Sequence, residues 1–196
     1  MTAHPVDQLA RALDIAGDLV AAVGDDQWGN PTPCTDWTVR ELVNHVVGGH
    51  LLFTAILRGE PMPPLAELRR RQSVDVLGDD PTIAFRDSAD ALAAGFRQPD
   101  ALQQMITVPF GAVPGIGALH LRLVETLVHG WDLARAIGGP DGFPDALVEQ
   151  ELTFSRAKLG DLPPGRTPFA PPRPAAPDAR AIDRLAALLG RDIDAS

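Results

Sequence analysis

The feature that most constrains this chain is the three-and-four spacing of its apolar residues, sustained over segments too long to be strands. In "VDQLARALDIAGDLVAAV", residues 6–23, the side chains of Val6, Leu9, Leu13, Ala16, Val20 and Val23 fall on one stripe. That pattern predicts a helix of about five turns with one face in a core. A loop rich in turn formers, "GDDQWGNPTPC", follows. Thr38 and Glu41 in "TVRE" then form a capping box for a second helix, which runs to about Leu57 and stops at Gly59 and Pro61. Segment 60–79 is loop-like apart from the short charged helical piece "LAELRRR". Asp80 and Pro81 serve as N-cap and first residue for "TIAFRDSADALAAGF". Another helix begins near Gly117 and ends at Gly138-Gly139, a strong stop signal. Asp145 caps "ALVEQELTFSRAKLG", and Asp178 caps "ARAIDRLAALLG".

Between these helices, "MITVPFGAVPGIG" reads as an extended connection punctuated by Gly and Pro. "LPPGRTPFAPPRPAAP" holds seven prolines between 163 and 177, which excludes regular structure and sends the segment over the surface. Period-2 alternation, an internal repeat and a Gly-rich phosphate loop are all missing. The expectation is an all-α bundle with long crossovers, residues 1–162, followed by a Pro-rich segment and a C-terminal helix, residues 163–196, packed on it.

Composition narrows the function classes. The formal net charge is −9, with no run of Lys or Arg, so neither nucleic acid nor an anionic membrane surface is an expected partner. No apolar run approaches the roughly 18 residues that cross a bilayer. The start, "MTAHPVDQLARALD", lacks the apolar core of a signal peptide. A single cysteine, Cys34, allows no internal disulfide; the expected location is a reducing cytoplasm. Both a monomer and a homodimer are compatible with the sequence.

The residues with chemical potential sit in an otherwise aliphatic helix. Glu125 and His129 are four apart in "LVETLVHGWDLARAIGG", about 40° apart around the axis and therefore on one face. That geometry suits an ion pair, a satisfied polar contact in the core, or two ligands of a metal. On the second helix, Leu42, His45, Gly49, Leu52 and Ile56 form one stripe, which places His45 on the face to be buried and His50 to one side, nearer the edge. Burying a carboxylate and two imidazoles without compensation costs several kcal/mol, and a divalent cation supplies it. Three protein ligands leave a position open for water or substrate. Two histidines and a carboxylate also suit non-haem iron or nickel. Asp132, one turn after His129, can orient that imidazole from behind or pair with Arg135 or Arg40. His50 is a further residue near the ligands, His4 is terminal and solvated, and His120 points off the ligand face. Cys34 reads as a small buried residue whose thiol precedes a helix N-terminus. Trp28, Trp37 and Trp131 read as packing residues.

Three stretches together, "TPCTDWTVRELVNHVVGG", "VETLVHGWDLARAIG" and "DRLAALLGRD", resemble the DinB/YfiT-like metal-binding superfamily. Within it, the similarity is to the actinobacterial group related to the N-terminal domain of mycothiol-dependent maleylpyruvate isomerase, and to its short form ending in an "LGRD" helix. The resemblance implies a four-helix bundle with a long crossover. It also implies a divalent metal, typically zinc, on His45, Glu125 and His129, and a low-molecular-weight thiol, mycothiol, as cosubstrate. The isomerase carries a further C-terminal domain beyond the extent of this chain, so maleylpyruvate itself is not the expected substrate. The function implied is a zinc-dependent, mycothiol-using transferase or isomerase acting on a small electrophile. The alternatives are a non-catalytic metal-binding protein and a thiol-independent metal hydrolase.

Overall fold

The computed structural model describes residues 4–35, 37–108, 111–160 and 169–194. Four long helices, α1 (Pro5–Ala21), α2 (Val39–Leu57), α4 (Pro81–Phe96) and α5 (Gly115–Ile137), close a ring in which α1 touches α4 and α5, and α2 touches the same two. The short α3 (Leu65–Gln72) sits beside α2, while α6 (Asp145–Gly160) and α7 (Ala181–Leu188) pack on each other and on α5. Their apolar stripes fill one core, in which Leu9, Leu42, Leu92, Leu119, Leu123, Leu127 and Trp131 are fully buried. The chain is thus all-α with a four-helix bundle at its centre, as the periodicity implies.

The helix ends follow local chemistry. Thr38 accepts from the Glu41 N–H, and the Glu41 carboxylate accepts from the Thr38 N–H, so the capping box forms. Asp80 accepts from the Ile83 N–H at 3.0 Å, with Pro81 as the first residue of α4. Gly138 closes α5 at φ 73°, a left-handed conformation that favours glycine. Four details differ from expectation. Asp145 is the first residue of α6 rather than its cap, and the Pro144 carbonyl accepts from the Leu147 and Val148 N–H groups. His4, exposed as expected, nevertheless has a structural job: its Nδ1 accepts from the Val6 N–H and caps α1. Asp178 caps nothing: α7 starts at Ala181, because Arg180 at the cap position is drawn to Asp183 and Asp141. The connection 105–117 holds a two-stranded antiparallel hairpin, β1 (Met105–Val108) with β2 (Gly111–Pro114), before α5 starts at Gly115. In β1 only Ile106 and Val108 turn inward, too few residues for alternation to stand out in sequence. Of the proline-rich segment, residues 161–168 lie outside the described residues. No helix is long and apolar enough to cross a membrane among the described residues.

Candidate metal centre

Helices α2 and α5 run antiparallel where they meet: His45 faces Glu125 and His129, and one turn further along α2 Gly49 faces Arg122. The i,i+4 spacing on α5 brings the two donors of that helix together, and His45 supplies a third from across the groove. His129 Nε2 lies 3.3 Å and His45 Nε2 3.6 Å from Glu125 Oε2. All three ligand atoms fall within 4.8 Å of one another. The side chains are graded in exposure, His45 25%, Glu125 18% and His129 5%, so the cluster opens to solvent on the α2 side. Trp37, just before α2, stacks on His45 at 4.3 Å between ring centroids and tilts over His129 at 5.8 Å.

Behind His129 stands a second layer. Its Nδ1 is 3.0 Å from Asp132 Oδ2, and Arg191 holds that carboxylate through Nε at 3.2 Å and Nη2 at 2.8 Å. With Asp132 paired to a guanidinium, it accepts from Nδ1–H of His129, which leaves Nε2 as the ring nitrogen turned to Glu125 and His45. Neither alternative arginine reaches Asp132: Arg40 binds Asp75 at 2.7 Å, and Arg135 donates to the Ile193 carbonyl.

The electrostatics agree with a crowded donor set. Burial pushes the Glu125 carboxyl up, but the His129 and His45 rings and the Arg122 charge outweigh it and hold it well below the usual range. Burial lowers His45, only partly offset by its contact with Glu125. Burial also lowers His129, yet Asp132 and Glu125 overcome it and raise the group above its ordinary value. Asp132 is held down by His129 and Arg191 against the upward pull of burial.

The two histidines of α2 exchange the places that their stripes suggest. His50, expected nearer the edge, is 0% exposed and turned toward α4, whereas His45 lines the open side. The reason is that α2 is sandwiched between α4 and α5, and its α4 flank is the closed one. There His50 Nδ1 is 3.0 Å from Ser88 Oγ, which itself donates to the Phe85 carbonyl, so the imidazole is the donor. His50 thus orients none of the three converging side chains. His120 lies on another face of α5 and bonds Glu151 of α6. Trp131 is buried and donates to Asp183, while Trp28 and the half-buried Cys34 pack against the core. Three residues near the centre went unmarked in the sequence reading: Trp37 as its wall, Arg191 behind Asp132, and Arg122 one turn from Glu125. Arg122 carried a signal in its i−3 spacing from Glu125, and Arg191 lies in the "LGRD" stretch that carries the resemblance.

Comparison with known proteins gives a consistent picture. The family described as the mycothiol maleylpyruvate isomerase N-terminal domain matches residues 9–134. An uncharacterized protein of Mycobacterium tuberculosis, found in two strains, is 34% identical over 186 residues, covering 93% of this chain and 95% of the relative. Among solved structures, the mycothiol-dependent maleylpyruvate isomerase superposes with a TM-score of 0.61 at 17% identity. A histidine-to-alanine mutant of the mycothiol-dependent maleylpyruvate isomerase superposes at 0.63 with 16% identity. Both alignments cover 76% of this chain and 66% of the isomerase, so this chain spans just under two thirds of that enzyme's length. At these identities the likeness is one of fold.

Proposed function

The chain belongs to the mycothiol maleylpyruvate isomerase N-terminal domain family, and from that premise we propose that it is a zinc-dependent enzyme using mycothiol as a transferase or isomerase on a small electrophilic substrate. The observation that carries this reading is the convergence of two imidazole nitrogens and a carboxylate, with one imidazole oriented from behind by a paired aspartate. Neutral imidazole and carboxylate suit zinc, and three protein ligands leave a coordination position open. His45, Glu125 and His129 would hold the ion, which when bound supplies the Lewis acidity that keeps a thiol ionised near neutral pH.

The remaining work falls to the protein. Asp132 and Arg191 keep the His129 tautomer with its Nε2 lone pair toward the centre. Trp37 covers one side of His45 and excludes water there, while the exposed flank of His45 and Glu125 admits the thiol. The thiol sulfur then forms a C–S bond to the electrophilic carbon, whose displaced electron pair moves onto the activating group of the substrate. For isomerisation, the C–S bond breaks after rotation and the thiol is returned. For transfer, the substrate takes up the proton that the thiol lost, and the conjugate leaves.

The test begins with metal content by mass spectrometry on untagged protein, beside a His45→Ala, His129→Ala double variant. The reading expects about one zinc per chain in the parent and none in the variant. It also expects mycothiol consumption with at least one member of a panel of small electrophiles. Absence of metal even after zinc is supplied overturns the centre. Bound zinc without thiol consumption leaves a non-catalytic metal-binding protein or a thiol-independent metal hydrolase.

A further inference from the structure

The end of α7 is built around one glycine. Leu189 caps the helix, and Gly190 follows at φ 89°, in the left-handed region. Its N–H reaches the Ala187 carbonyl at 3.0 Å, and the Arg191 N–H reaches the Ala186 carbonyl at 2.9 Å. Those two bonds close the helix and reverse the chain, a geometry that glycine at this position favours. The reversal turns Arg191 back toward α5. There its Nε and Nη2 hold the Asp132 carboxylate, while Nη1 donates to the Leu189 carbonyl at 3.1 Å. The guanidinium is thus tied to the helix end as well as to the carboxylate, which fixes both its direction and its reach.

A second segment roofs the same glycine. A Cβ at position 190 would lie 2.5 Å from the Ala170 Cβ and 2.8 Å from the Ala170 carbonyl oxygen. Three residues on, the Arg173 N–H donates to the Ala187 carbonyl at 2.8 Å, and the Arg173 guanidinium lies 3.6 Å from Asp192. The Ala187 carbonyl therefore accepts from both Gly190 and Arg173 and joins the roof to the turn. Any side chain at 190 must displace one of them, and a positive φ strains it as well. At the start of α7, Asp183 accepts from Trp131 Nε1 at 2.8 Å. Two consecutive residues of α5, Trp131 and Asp132, thereby hold both ends of α7.

We propose that Gly190 is a positioning residue for the metal centre: roofed by Ala170, it aims Arg191 at Asp132 and so ties metal affinity at His129 to the docking of residues 169–194. The proposal rests on the zinc reading of His45, Glu125 and His129. With Arg191 withdrawn, Asp132 keeps only His129 as a side-chain partner among the described residues. The imidazole then loses the fixed acceptor that sets its rotation. Linkage makes the effect reciprocal: whatever factor the docked segment adds to zinc affinity, zinc adds to docking. The C-terminal segment is a metal-sensitive latch.

The experiment uses the full chain with three variants: Gly190→Ala, Gly190→Ala combined with Ala170→Gly, and Gly78→Ala. Gly78 also has a positive φ, 60°, with nothing within 4 Å of the position a Cβ would take, so its variant carries backbone strain without a roof. Zinc affinity is read by competition with a chromophoric chelator. NMR follows the His129 Nδ1–H resonance in metal-free protein, and α7 amide exchange with and without zinc. Gly190→Ala should weaken zinc by about tenfold and shift the Nδ1–H resonance, and Gly78→Ala should do neither. Adding Ala170→Gly, which removes the nearest atom of the roof, should recover part of both. Zinc should slow exchange at α7 in the parent, and less so in Gly190→Ala. An unmoved Nδ1–H resonance, parental zinc affinity in Gly190→Ala, or an equal loss in Gly78→Ala overturns the proposal. Should Gly190→Ala fail to fold, the parental exchange decides, and α7 amides indifferent to zinc overturn the latch. A parent that binds no zinc removes the zinc reading and this proposal with it; a parent whose zinc affinity ignores Gly190→Ala loses the proposal alone.

Discussion

Helix α5 meets a histidine–carboxylate partner twice, nine residues apart. Near its start, His120 Nδ1 sits 3.0 and 3.1 Å from the two oxygens of Glu151, and its ring stacks on Phe154 at 4.4 Å. Glu151 is completely buried, and the single His120 Nδ1 meets both of its oxygens. Past the middle, His129 and His45 share one oxygen of Glu125 at the looser distances of 3.3 and 3.6 Å. There the nitrogens point at a common place beside a solvent-facing flank. The same residue types thus serve as a closed clasp between α5 and α6 and as an open donor set between α5 and α2. A carboxylate satisfied by one imidazole holds helices together. One approached by two imidazoles, one of them held from behind, has coordination left to offer.

The sharpest way to break the comparison is to remove donors from each end. His45→Ala with His129→Ala should lose the zinc altogether, and chelation should then no longer lower the melting temperature; His120→Ala should keep its zinc. Metal analysis and calorimetry with and without a chelator read both. Next in size, Asp132→Ala should weaken zinc by about 10- to 100-fold, with Arg191→Lys weaker in the same direction, measured by competition with a chromophoric chelator. The clasp answers to a different measurement: Glu151→Gln should cost about 1–3 kcal/mol in urea unfolding and leave zinc affinity untouched.

The smallest effect lies outside both regions. Arg180 and Trp131 outweigh burial and hold the Asp183 carboxyl below its ordinary value of 3.8. A depressed carboxyl contributes stability that is present above the unfolded value and lost as pH falls through the folded one. Asp183→Asn should therefore flatten the acid limb of the stability profile below about pH 3.8 and leave neutral melting lower by a constant amount. An unchanged acid limb would mean that Asp183 contributes nothing there.

Much of the architecture is legible from local spacing. The apolar stripes, the Thr38–Glu41 box and the Gly138 stop each depend on residues within a turn or two of one another, and each appears where the pattern places it. The co-facial arrangement of Glu125 and His129 follows from helical geometry alone. Burial along α2 did not follow, because a helix between two neighbours has two inward flanks. Periodicity names the face that avoids solvent without saying which flank is closed by α4 and which borders the groove at α5. His45 and His50 exchanged places for that reason. The β1–β2 hairpin is too short to carry a pattern, and Arg180 at the α7 cap is held by Asp141, 39 positions away.

The sequence by itself determined which segments are helices and that Glu125 and His129 share a face, since both depend only on the covalent chain and its 3.6-residue repeat. His45 was named with them only through the motif resemblance, and the tertiary structure decided that it lines the groove while His50 turns to α4, that Arg191 reaches 59 positions back to hold Asp132, and that Arg122 is left buried with two bare nitrogens over Gly49. Those outcomes depend on how helices distant in sequence pack against one another, and no local spacing encodes the groove between α2 and α5.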